Sequence, residues 1–276
     1  IRLTLHPRVN HWWHVPLYVS PRGLTTRTIP HHGGSFEIEF DFHDHELKIR
    51  MSDGRVEDFA IYNGLTVADF YASVFANLAK LGINPEIKAE PYEAPSTTPF
   101  AVDHENKCYD KEYVERFHKI LVAVDEIFEK FRGRFCGKST PVHLFWHSFD
   151  LALTRFSGKK APVIDGANMV TREAYSHEVI SFGFWFGDDK ENSVAAPAFY
   201  SYTAPKPDGL ENAPLHPEKA FWTPDGAMAL LMYDDIRMLE NPRAAVLDFL
   251  ESAYQAGANA ADWDAADLQL SKTPGS

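Results

Sequence analysis

A cryptic duplication constrains this chain more than any other feature. Trp13, His14 and Arg22 recur at the same spacing as Trp146, His147 and Arg155, 133 positions further on. A second echo lies at Thr66 to Gly82 and Asn241 to Gly257, which read as helices of equal length running from a capping residue to a terminal Gly. Aligned this way, Phe70, Tyr71, Val74, Phe75 and Leu78 fall on Ala245, Val246, Phe249, Leu250 and Ala253, apolar throughout and at helical spacing. The helix offset is 175, so the second half carries a net 42 additional residues, where specialisation is expected.

The pattern between the echoes reads as strands with few helices. Residues 1–61 read as consecutive strands, starting with Ile1 to Leu5. Phe36, Ile38, Phe40 and Phe42 alternate with Glu37, Glu39 and Asp41, and Leu47, Ile49 and Met51 alternate with Lys48 and Arg50. That is a half-buried hairpin with His43, Asp44 and His45 in its turn, both His expected to be exposed and inert. Thr66 with Asp69 three residues on forms a capping box, and Gly82 ends the helix. Tyr113, Phe117, Ile120, Leu121, Val124, Ile127, Phe128 and Phe131 trace one apolar stripe on a long helix over 110–132. Pro141 to Phe156 and Glu173 to Phe186 read as strand, 187–195 as a polar loop, and 198–203 as another strand.

Strand runs closed by a helix, without regular βαβ alternation, predict an α+β fold. Two antiparallel sheet halves are expected, related by an approximate internal repeat, each with a covering helix, plus a bridging helix. The first half spans 1–90 with helix 66–82. A linker at 91–109 contains the Pro-rich stretch 91–99, and the second half, 110–276, holds helix 110–132, strands and helix 241–257.

Composition limits the partners. A formal net charge of −12 on 276 residues argues against sequence-independent nucleic-acid binding and against anionic membrane surfaces, both of which need Lys and Arg. A small-molecule ligand is the expected partner, and the pattern leaves oligomeric state open. Two Cys, Cys108 and Cys136, do not make a disulfide framework. With no apolar signal core at Ile1 and no apolar run long enough to span a bilayer, a cytoplasmic location is the expectation.

Thirteen His are present, several beside aromatics: His11 and His14 around Trp12 and Trp13, His143 and His147 around Trp146, and His177 with Glu178 after Tyr175. Three readings of different classes fit. One is an enzyme acting on a small anionic or aromatic molecule, with His143 or His177 as acid or base, Glu178 or Asp150 orienting it, and Arg155 holding an acidic group in a shared pocket. The second is a non-catalytic binding protein with Trp12, Trp13, Trp146 and Tyr175 as aromatic walls. The third is a protein whose His and Glu side chains, gathered from different strands, ligate a divalent metal. The same blocks also suit a purely structural role, with aromatics filling a core and His and Arg satisfying buried polar groups. Phosphate-cradling loops, Gly-x-Ser-x-Gly elbows, Cys-x-x-Cys pairs and dinucleotide fingerprints are missing from the sequence.

Longer stretches carry a family likeness: Asn10 to Val19, Phe40 to Phe42, Ser139 to Trp146, Ser148 to Gly158 and Arg172 to Val179. In these the chain resembles a bacterial family known only as a domain of unknown function. The resemblance implies no activity, but it places His11, His14, His143, Asp150, Arg155, His177 and Glu178 inside the shared wording. The family pattern has Gly where this chain has His147, which implies a tight turn after Trp146.

Overall fold

The computed structural model describes every residue except 93–95, 189–193, 266 and 271–276, so the centres of the 91–99 and 187–195 segments lie outside the described residues. The fold is α+β, with two antiparallel six-stranded sheets. The chain divides into two compact units, Ile1–Ala123 and Val124–Ser276.

The first unit does not open on a strand. Arg2–Leu5 forms the short helix α1, and Asn10–Trp12 a 3-10 turn. His11 and Trp12 take φ of 56° and 62°, a left-handed geometry that no strand tolerates. Strands then follow as β1 (Tyr18–Ser20), β2 (Gly23–Thr25), β3 (Ile29–His31), β4 (Gly34–Asp41), β5 (Glu46–Met51) and β6 (Val56–Ala60). Their order is β1-β2-β4-β5-β6, with β3 also paired to β4.

The register of β4 on β5 explains the alternation. Phe36, Ile38 and Phe40 face Met51, Ile49 and Leu47, so one side of the sheet is apolar and the other charged. Helix α2 (Val67–Lys80) covers the apolar side: Phe70 stacks on Phe40 at 6.1 Å, and Val74 and Leu78 join Phe36, Ile38 and Ile49 in the core. Thr66 caps α2, its Oγ1 accepting from the Asp69 amide at 3.0 Å, and Gly82 supplies the left-handed residue after its end, at φ 82°.

The charged side centres on Asp41, which is fully buried and accepts from Arg22, from Lys48 Nζ at 2.8 Å, and from the His43 and Asp44 amides. Burial pushes its carboxyl upward, but these donors outweigh it and hold the group well below the usual carboxylate range. The same turn corrects one expectation. His43 is exposed, but His45 is 8% exposed, with its Nδ1 3.1 Å from the Tyr109 hydroxyl and its Nε2 3.6 Å from Glu115. A φ of 55° turns it inward.

The boundary between units falls within helix α3 (Lys111–Arg132). Leu121, Val124, Phe128 and Phe131 are buried on its stripe, but Tyr113, in its first turn, is exposed with Arg116 4.9 Å over its ring. The second unit continues with β7 (His143–Phe145), β8 (Asp150–Lys160), α4 (Met169–Ala174), β9 (His177–Trp185), β10 (Ala198–Ala204), β11 (Phe221–Trp222), β12 (Ala229–Met232), α5 (Tyr233–Ile236) and α6 (Pro242–Ala260). Its sheet runs β11-β12-β10-β9-β8-β7.

Two strand expectations are corrected here. Residues 141–156 are two strands joined by a turn at 146–149, which places His147 in the turn; Phe149 at φ 59° makes the reversal. The start of the 173–186 segment is helical, because Asn168 caps α4 by accepting from the Thr171 amide at 2.9 Å.

Helix α6 also differs from the sequence reading. Asn241 caps it, accepting from Ala244 at 3.1 Å, but the helix runs through Gly257 to Ala260 and has 19 residues against 14 in α2. Gly257 is there for contact: a Cβ would overlap Thr203 Oγ1 and crowd Ile180, so the missing side chain lets α6 lie close on β9 and β10. Each unit carries a six-stranded antiparallel sheet followed in sequence by a capped helix.

Candidate functional site

Strand parity sorts the second sheet into two faces. Leu151, Leu153 and Arg155 of β8, Ile180, Phe182 and Phe184 of β9, and Phe199 and Thr203 of β10 share the face packed under α6. The face turned away from α6 carries Asp150 and Thr154, Ser181, Gly183 and Trp185, and Tyr200 and Tyr202.

A chain of hydrogen bonds, continued between Tyr200 and Tyr202 by ring stacking alone, crosses this second face. The buried Asp150 carboxylate accepts from Ser148 Oγ and, at 2.5 Å, from the Tyr200 hydroxyl. Tyr200 and Tyr202 lie nearly parallel, with centroids 6.2 Å apart and an interplanar angle of 13°. The Tyr202 hydroxyl is 3.1 Å from that of Tyr175, which α4 presents from its C-terminal end. Thr154 and Ser181 pair at 2.8 Å, and Trp185 Nε1 donates to the Ser148 carbonyl at 3.0 Å, which fixes its ring. Burial, then the nearby Asp150 charge, pushes the Tyr200 phenol well above its ordinary value; burial does the same to Tyr202. Both phenols are neutral donors at physiological pH.

Next to this chain is a cavity of about 340 Å³, bounded by Ser148, Asp150, Trp185, Tyr200, Tyr202 and Met228 among others. Gly183 shapes it. It sits directly across from Tyr200 in the sheet, and a Cβ there would overlap the Tyr200 ring. Gly183→Ala is expected to tilt Tyr200 off the sheet and break its bond to Asp150, at about 1–3 kcal/mol in urea unfolding. An unchanged midpoint would show that the ring has room to shift.

The residues singled out from sequence are distributed unevenly around this site. Asp150 and Tyr175 belong to the chain just described. His143 is 1% exposed, with its ring 4.7 Å from Phe145, and pairs with Ala152 in the sheet. His177 begins β9, six residues along that strand from Gly183, the partner of Ala152, which is about 20 Å at strand spacing. Its Nδ1 is 3.0 Å from Ser176 Oγ, and Glu178 accepts from Ser157 Oγ at 2.8 Å. His143, His177 and Arg155 therefore do not converge.

Arg155 occupies the opposite face and is 1% exposed. It donates to the Phe131 carbonyl, and its guanidinium carbon lies 3.6 Å from the Phe131 ring centroid and 4.5 Å from that of Tyr254. Burial pushes this guanidinium down to about 10. Enclosed by rings, it does not reach the cavity.

Trp146 is 44% exposed in the 146–149 turn, where the Gly-for-His147 difference implied a tight bend. In the first unit, Trp12 stacks on His14 at 5.7 Å with Arg8 5.3 Å over its ring, while His11 lies 5.6 Å from Trp13. His14 is 2% exposed, and burial lowers its imidazole from the ordinary value. Among the described residues, no group of three or more His, Cys, Asp or Glu is placed to hold a metal ion.

A larger groove of about 550 Å³ in the first unit is lined by Tyr62, Thr66, Phe70, Asn106 and Tyr109 among others. Its Gly64 and Val67 amides already donate to the Lys107 and Asn106 carbonyls, which commits them to the fold.

Tyr200, Tyr202, Trp185 and Gly183 are the residues that sequence reasoning missed. The signal was there: Tyr200 and Tyr202 two apart in one strand place both phenols on one face, and a Gly inside a strand marks a close approach. Comparison with known proteins agrees with the resemblance in the sequence, since a family of unknown function, DUF5996, matches residues 1–270. The chain belongs to this family. No curated protein and no solved structure matches it. Among the described residues, no helix is long and apolar enough to cross a membrane.

Proposed function

We propose that the second unit binds a small molecule in the cavity beside Asp150, Tyr200 and Tyr202. The supporting observation is the combination of aromatic and aliphatic walls with one buried carboxylate, in a volume of about 340 Å³ that lies within the range of small-molecule sites. Trp185, Tyr200 and Tyr202 supply flat aromatic surface, Met228 and Leu230 aliphatic surface, and Asp150 a carboxyl among the polar groups of Ser148 and the two tyrosines. This favours the binding reading over His acid–base chemistry, because no His is among the described residues lining the cavity.

The test is a ligand-observed NMR screen of flat aromatic fragments against the full chain and against Met228→Trp, which fills the cavity. Expected are fragments that bind the parent protein and lose contact in the variant. Hits that bind both proteins equally would overturn the assignment of the site.

A further inference from the structure

We infer that the ligand of this cavity is a cation of the primary-ammonium class, its charge set against Asp150 and its body against the Tyr200, Tyr202 and Trp185 rings. The inference rests on the cavity being the binding site and adds the chemical class of what it takes.

Asp150 is 7% exposed, and its bonds among the described residues come from two hydroxyls, those of Ser148 and Tyr200, with no Lys, Arg or His paired to it. A buried carboxylate without a cation is costly. It also has capacity to spare, since a carboxylate accepts roughly four hydrogen bonds. The raised phenol of Tyr200 keeps its proton and donates it in the bond to Asp150.

The walls support the same choice. Elsewhere the chain sets its own cations over its aromatic rings: Arg27 lies 3.7 Å over Tyr18, and Arg155 3.6 Å over Phe131. Tyr200 and Tyr202, beside Asp150 on this face, carry no such cation from the described residues, and a cation bound at Asp150 in this cavity would meet their rings. An anion would meet Asp150 and a protein of net charge −12, whereas that field draws cations in.

Three soluble probes of nearly one shape decide the matter: benzylammonium, benzyl alcohol and benzoate, titrated by NMR into the full chain at low salt. Benzylammonium is expected to bind at least about tenfold tighter than benzyl alcohol, the worth of one charge-assisted contact, with benzoate weakest. Asp150→Asn should erase the preference. Tyr200→Phe, which leaves the acid in place with one donor fewer, should keep or strengthen it, and this second variant holds the test open if Asp150→Asn folds poorly. Equal binding of benzylammonium and benzyl alcohol, lost in Met228→Trp, would overturn the cation inference and leave the cavity assignment standing. Binding of all three probes unaffected by Met228→Trp, or no binding of any, would remove the cavity assignment and the inference with it.

Discussion

Arg155→Ala is expected to lower the free energy of unfolding by about 3 kcal/mol, while Arg155→Met stays within about 1 kcal/mol of the parent protein. Ala leaves a void among Phe131, Phe135 and Tyr254, whose rings enclose the guanidinium at centroid distances of 3.6, 4.9 and 4.5 Å. Met fills that space without the desolvation cost of a buried cation, and that gain offsets the lost bond to the Phe131 carbonyl at the end of α3. Among the described residues the Arg155 Nε has no hydrogen-bond partner, so a neutral side chain forfeits little there. Urea unfolding of both variants gives the comparison. If Met proves as damaging as Ala, the positive charge itself is required by the rings and the carbonyl that enclose it.

Asp41→Ala is expected to cost about 3 kcal/mol at neutral pH, because it removes the acceptor shared by Lys48, Arg22 and two turn amides. Arg22 is 43% exposed and turns to water, but Lys48, at 16%, is left without its innermost partner. Acid should have a related effect. The folded-state carboxyl lies below its unfolded value, so its contribution is fully present above the unfolded pKa, near 4, and is lost as pH falls through the folded value. Stability measured by denaturant from pH 6 down to pH 2 should therefore decline less steeply in Asp41→Asn than in the parent. Parallel profiles would show that Asp41 does not set the acid sensitivity of the first unit.

The fold class was legible because its signals are local. Alternation in 36–42 and 47–51 needs only the period of a strand. Thr66 and Asn241 cap helices through bonds to amides three residues away. Even where local reading failed, the causes were local geometry outside any propensity: left-handed residues at His11, Trp12, His45 and Phe149, and an Asn168 cap that turned an expected strand into α4. Gly257 shows the limit of local logic. It reads as a helix end, but it lies within α6 because the sheet beneath needs the space a side chain would take.

The site was legible residue by residue but not as an arrangement. Asp150 and Tyr175 stood out in the sequence, yet their partners Tyr200 and Tyr202 are distant in the chain, and what joins them is the register of β8, β9 and β10. His143, Arg155 and His177 shared a promising neighbourhood in sequence and were separated by the same register, two of them by the length of a strand and the third by a face. By itself the sequence determined the elements, their alternating faces, the caps and the acidic balance, since each follows from contacts within a few residues. The tertiary structure alone decided which polar groups meet, because in a sheet a shift of one residue sends a side chain to the opposite face, and no local pattern records that choice.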